Sequence, residues 1–326
     1  MAELTDRENS KKNFELGTFF RKYGMLLVLI LIVVLLLSTN ETFRTLQNII
    51  NVLQQISING IIAVGMTFVI VGGGIDLSVG SVIALTSVTI GFFLDKNPAY
   101  VVLAIIVALI ACSLAGLFNG FFVAKFNIFP FVVTLASLMI IRGIAYIISQ
   151  GKSFVLMSDS FKQIGQGKVF GRIPIGVIIF IVVAFLGYML LSFTKFGRYV
   201  YAVGGNVIAA TAASINVFAI KLLTYVLMGF CVGIAGIILS SRVNAGQPSI
   251  GTGYELDAIA AVIIGGTSFF GGIGTIQGTV IGALIIGVIS NGMNLFGISS
   301  YYQQIVRGFI ILVAVLADSF VSRRKR

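Results

Sequence analysis

Apolar residues fill this chain in long stretches broken by short polar gaps. They neither alternate as in a strand nor leave the wet face of a soluble amphipathic helix. A helix crossing the hydrocarbon core needs about 20 mostly apolar residues. Such runs fall at 23–38, 48–71, 77–94, 99–123, 128–149, 174–193, 219–241, 258–270, 276–296 and 303–318. The pattern predicts an all-α integral membrane fold of about ten transmembrane helices, some broken or re-entrant. The run 258–270 is too short for an untilted crossing and predicts a half-helix packed inside the protein. The first run is followed by Ser38-Thr39-Asn40 rather than a small-residue cleavage site, so it is read as a retained span.

Glycine modifies this picture, because many of the 38 glycines recur at small-xxx-small spacing, as at Gly229, Gly233 and Gly236 or Gly278, Gly282 and Gly287. In lipid, close backbone approach of this kind holds helices together where apolar burial cannot. Two glycine breaks resemble each other: Val71-Gly-Gly-Gly-Ile-Asp-Leu-Ser-Val-Gly80 and Ile264-Gly-Gly-Thr-Ser-Phe-Phe-Gly-Gly-Ile-Gly274. Each precedes an Asn-Gly pair (Asn119-Gly120, Asn291-Gly292) and then an Arg-Gly pair (Arg142-Gly143, Arg307-Gly308). The order predicts a diverged internal repeat, and broken helices at a repeat interface line the path in many transporters.

Composition agrees with lipid as the solvent: 58% of the 326 residues are hydrophobic, 10% are charged, and the mean hydropathy is +1.07. The net charge of +11 could suit nucleic acid, but the cations cluster at the ends of apolar runs, with no basic stripe on a folded face. Arg7, Lys11, Lys12, Arg21 and Lys22 open the chain and Arg323, Arg324, Lys325 and Arg326 close it, which predicts both termini in the cytoplasm of a multi-pass membrane protein. The domain reading is a tail over 1–22, a membrane domain over 23–320 and a basic tail over 321–326. The segment 150–173 is expected outside, although it carries Lys152, Lys162, Lys168 and Arg172.

Candidate chemistry is sparse. Histidine is absent, which removes imidazole catalysis and ligation, and Cys112 and Cys231 lie inside apolar runs as packing residues. No catalytic residue, metal site or cofactor is expected. Asp76 stands beside three glycines and is expected to anchor the break by capping a helix that starts near Leu77. Asp257 is expected to cap the helix from Ala258, while Glu255 has no role legible in sequence. For a neutral polar cargo the candidates for a path are the hydrogen-bonding residues Asn59, Thr67, Asp76, Asn119, Thr134, Asn291 and Asn294, with bonding between helices as the competing role.

Three stretches together resemble the permease subunits of bacterial ABC importers for ribose, galactose and related sugars. They are Gly74-Ile-Asp-Leu-Ser-Val-Gly-Ser81, Gly197-Arg-Tyr-Val-Tyr-Ala-Val-Gly-Gly-Asn206 with Ile215-Asn216-Val217, and the run from Ala245 through Tyr254-Glu-Leu-Asp257 to Ser268, with Ser299-Ser-Tyr-Tyr-Gln303 near the end. The wording is most similar to ribose-type members. The resemblance implies a monosaccharide cargo, ribose first, a second permease subunit (a copy or a close homologue), a cytoplasmic ABC ATPase and an external sugar-binding protein. The chain itself has no phosphate loop; Gly165-Gln-Gly-Lys168 lacks the spacing and the Ser or Thr. A self-sufficient secondary sugar transporter or channel is the alternative, and an intramembrane enzyme is disfavoured by the lack of convergent titratable groups.

The segment 194–217 is read as the point where ATP energy enters. Lys195 and Arg198 mark it as internal, and Gly204-Gly205-Asn206 forms a turn and N-cap before a small-faced helix from Val207 to Ala213. The resemblance assigns coupling to Gly204, Gly205, Asn206, Ala209, Ala210, Ser214 and Ile215. Three positions depart from the family pattern: Val207 stands where an acid is expected, Thr211 where a base is, and Ser214 where glycine is usual.

Overall fold

A computed structural model describes residues 24–156 and 158–323. Each of the ten apolar runs becomes a helix: α1 Gly24–Thr39, α2 Leu46–Val71, α3 Val79–Lys96, α4 Val101–Lys125, α5 Pro130–Ser149, α7 Ile175–Phe193, α10 Val217–Val243, α11 Tyr254–Ile264, α12 Ile276–Leu295 and α13 Ser300–Arg323. Seven of them, α2 to α5, α7, α10 and α12, are long and apolar enough to cross a membrane by length and composition alone. Residues 1–22 and 324–326, read above as tails, lie outside the described residues, and α13 continues past the boundary placed at 320.

The helix starts follow local chemistry. Thr45, Thr194, Asn206, Asn216 and Thr275 each accept a hydrogen bond from the backbone N–H three residues on, satisfying one of the donors that a first turn leaves open. Proline opens α5, and left-handed residues at Gln150 and Asn244 close α5 and α10.

From Ile56 onward helix α2 is buried on all sides, and it forms the axis of the bundle, packed by α7, α10, α11 and α12, whereas α4, α5 and α7 turn broad apolar faces outward. The small-residue spacing does what it predicts. Gly229 of α10 lies on the Cys112 carbonyl of α4 and Gly282 of α12 on the Ala261 carbonyl of α11, contacts that a Cβ at either position would block. Both cysteines are buried and free.

Three elements depart from the expectations. The half-helix α11 occupies Tyr254–Ile264 rather than 258–270, because Gly253, at φ +90, opens it early and the Gly265-Gly266 pair stops it. Residues 150–173 are not a bare loop. β1 Phe154–Val155 pairs antiparallel with β4 Ala245–Gly246, β2 Lys168–Val169 pairs with β3 Ile173–Pro174, and α6 Asp159–Gln166 lies against the end of α10. There the Ser241 hydroxyl donates to the Phe161 carbonyl at 2.5 Å and accepts from the Gly165 N–H at 2.8 Å. Between α7 and α10, two short helices, α8 Lys195–Gly205 and α9 Val207–Ala212, sit at the end of the bundle where α2 terminates.

Candidate functional site

The first glycine break carries the chain from α2 to α3 around a buried carboxylate. Asp76, 3% exposed, accepts from the Ser78 N–H at 2.8 Å and the Ser78 hydroxyl at 2.6 Å, both on one carboxylate oxygen. The Asn119 amide of α4 approaches the carboxylate at 3.4 Å and donates to the Ser78 hydroxyl at 2.9 Å. Tyr225 of α10 donates to the Ile75 carbonyl at 3.1 Å. The expected cap is corrected in detail: α3 begins at Val79, Ser78 occupies the cap position, and Asp76 fixes the turn leading to it. Among the described residues Asp76 has no cationic partner.

A second polar cluster is built where the chain re-enters the bundle between β4 and α11. Arg142 of α5 donates to the carbonyls of Pro248 at 2.7 Å and Ile250 at 2.8 Å. Arg307 of α13 lies 3.3 Å from the Asp257 carboxylate, although its Nε–H is not aligned along that line, so the contact is an ion pair rather than a formed Nε–H hydrogen bond. Glu255 accepts from the Gly253 N–H at 3.2 Å, closing the turn that starts α11. Asp257 is therefore not the cap of a helix from Ala258. The helix starts earlier, so this side chain sits inside its first turn, where it still complements the helix dipole but spends its charge on Arg307. The two arginines of the suspected repeat thus hold opposite ends of one re-entrant segment.

The other path candidates mostly bond to groups outside the candidate set. Thr67 of α2 and Thr279 of α12 share a hydrogen bond at 2.7 Å. Asn291 of α12 and Asn48 of α2 exchange two amide bonds, at 2.9 and 3.1 Å. Thr134 bonds back to the Pro130 carbonyl within its own helix. Asn294 is exposed at the end of α12 and accepts from Gln303 of α13 at 2.8 Å. Only Asn59, with an unpartnered buried Oδ1, and Asn119, with the same, retain a free acceptor. Asn48 was missed, and with several amides in each of the two runs no signal in sequence matches it with Asn291.

In 194–217 the Asn206 cap forms as expected, accepting from the Ala209 N–H at 3.0 Å. Helix α9 is shorter than predicted, ending at Ala212, and it turns Ile208, 83% exposed, outward beside Val207 and Ala209. Ala210 points the other way, into an apolar cluster with Val71, Val200, Val203 and Ile276, so it anchors α9 rather than facing outward. Ser214 adopts φ +60, the left-handed conformation that explains a preference for glycine there. Ser214→Gly is expected to stabilise the protein by about 1 kcal/mol. The check is the thermal unfolding midpoint of the purified permease, which should rise; a fall would show that the serine side chain matters more than the backbone strain.

A bundle of apolar helices with a re-entrant half-helix, two facing glycine breaks and buried polar groups joining its halves defines a multi-pass membrane permease. The family described as branched-chain amino acid transport system / permease component matches residues 48–315, and the chain belongs to it. Ribose import permease protein RbsC of Haemophilus influenzae is 42% identical over 98% of this chain and 99% of its own. The RbsC of Bacillus subtilis is 42% identical over 95% and 97%, and the L-arabinose transport system permease protein AraH of Escherichia coli 39% over 97% and 96%. No solved structure is a significant match.

Proposed function

We propose that this chain is the membrane-spanning subunit of an ATP-driven sugar importer in the bacterial inner membrane. Two such subunits form the path for a monosaccharide, D-ribose first, delivered by an external binding protein. The observation that carries the reading is the full-length likeness to ribose import permeases. Both termini and α8–α9 then face the cytoplasm, and α9 seats its Val207, Ile208 and Ala209 face in a groove of the ATPase. The charges missing at Val207 and Thr211 leave apolar contact as the main source of docking energy. The buried carboxylates favour this over ion-driven transport: Asp257 is spent on Arg307, and Asp76 on its own turn.

The test is uptake into proteoliposomes of D-ribose, L-arabinose and D-allose, with and without the ABC ATPase and binding protein proposed as partners of this chain. Import is expected only with all components and ATP. Uptake by the chain alone would establish the self-sufficient carrier instead. Ile208→Arg puts a charge into the apolar seat, and because burying one unpaired costs several kcal/mol, stable assembly with the ATPase should fall at least about tenfold. Wild-type assembly and hydrolysis in this variant would remove α9 from the ATPase interface.

A further inference from the structure

We propose that Tyr201 and Gly204 are the positioning residues that join the coupling element to both glycine breaks, so that movement of α8 and α9 reaches both halves of the permease at one point. The inference rests on the coupling role proposed above. Three non-helical or helix-terminal glycine segments meet here, from distant parts of the chain: Gly72 to Gly74, Gly204 to Gly205, and Gly271 to Gly272. The Gly272 N–H donates to the Val71 carbonyl at 2.9 Å, tying the second break to the end of α2. Gly204 lies directly over that bond. A Cβ added to it would overlap the Val71 carbonyl oxygen and stand 2.9 Å from the Gly272 nitrogen, so only glycine lets α8 rest on the junction. From the same helix, the Tyr201 hydroxyl donates to the Gly274 carbonyl at 2.6 Å, just before α12 begins.

The contact has an apolar backing. Ala210 of α9 and Val200 and Val203 of α8 share one cluster with Val71 at the end of α2 and Ile276 at the start of α12. A push on α9 therefore meets close-packed side chains on the way to both breaks, and packed contacts transmit displacement rather than absorb it. The breaks themselves are suited to turning. Gly73, Gly271 and Gly272 have φ of +80, +88 and +73, and glycine's freedom on both sides of φ makes these the positions at which each break can reorient. A coupling element seated on only one break would move one half of the bundle; this one is seated on both.

The experiment compares Tyr201→Phe and Gly204→Ala in the complete complex with its own ATPase and binding protein, using the sugar that the wild type imports fastest. Gly143→Ala serves as the control, since a Cβ there meets nothing within 4 Å. For Tyr201→Phe the complex should assemble and hydrolyse ATP near the wild-type basal rate. Stimulation by sugar-loaded binding protein and sugar uptake should both fall several-fold. Gly204→Ala should have the same signature more strongly; if it fails to assemble, Tyr201→Phe decides alone. A purely structural role would lower yield or melting temperature and leave the ratio of stimulated to basal hydrolysis unchanged. An unchanged ratio with full uptake overturns the proposal, even where Ile208→Arg still blocks assembly and the coupling role stands. ATP-independent uptake by the wild type would overturn the coupling role instead.

Discussion

Arg307→Leu is expected to be among the most damaging single substitutions in the membrane domain, costing about 3–5 kcal/mol, because it leaves the Asp257 carboxylate charged and unpaired in a buried site. Asp257 is 6% exposed, at the first turn of a half-helix wrapped by α2, α12 and α13. Arg307 is its partner at 3.3 Å. An isolated carboxylate cannot stay charged there cheaply, so removing the guanidinium should loosen α11 and the re-entrant segment together. The measurement is the thermal unfolding midpoint in detergent, supported by protease protection of 245–257. Replacing both residues with leucine should recover most of the loss, since an ion pair and an apolar pair of similar volume are often close in stability. If Arg307→Leu alone melts like the wild type, the ion pair is not what holds α11 in place.

Much of this fold was legible in the sequence, for a physical reason. Lipid demands unbroken apolar length, so each span announces itself, and the half-helix shows as a run too short to cross. The glycine breaks and the paired Arg-Gly dipeptides were also visible, and both arginines do hold the re-entrant segment. What remained hidden was what those features touch. Arg307 gives no sign in sequence that its partner is Asp257, and the cap expected at Asp257 fails because Gly253, at φ +90, starts α11 at Tyr254. Helix α6 escaped because its eight residues are amphipathic, with Phe161 and Gly165 turned to the bundle, and resemble an ordinary polar loop. Helix α8 was masked by Gly197, Gly204 and Gly205, which lower helix propensity, although Gly197 and Gly204 are needed for close contact with α7 and with the breaks. Polarity inside an apolar run marks a path residue and an interhelical partner alike, and Thr67, Asn119 and Asn291 have such partners.

Asp76 separates structural from transport roles most cleanly, because two substitutions there should behave very differently. Asp76→Ala removes the acceptor for the Ser78 N–H and hydroxyl and strips a neighbour from the Asn119 amide. At about 1–3 kcal/mol for each buried group left unpaired, the turn before α3 should become strongly destabilised. Asp76→Asn should cost little. Both Ser78 bonds fall on the same carboxylate oxygen, which the amide oxygen can replace. The second oxygen becomes an NH2 group facing the Asn119 amide; a flip of Asn119 turns its Oδ1 toward the new donor but gives up the 2.9 Å bond to the Ser78 hydroxyl, a net cost of about one hydrogen bond, about 1 kcal/mol. With both variants reconstituted in the full importer, Asp76→Asn should melt and import sugar close to the wild type, while Asp76→Ala should lose both together. A well-folded Asp76→Asn variant that imports no sugar would mean that the negative charge itself is used in transport, and Asp76 would then belong to the translocation path rather than to the scaffold of the break.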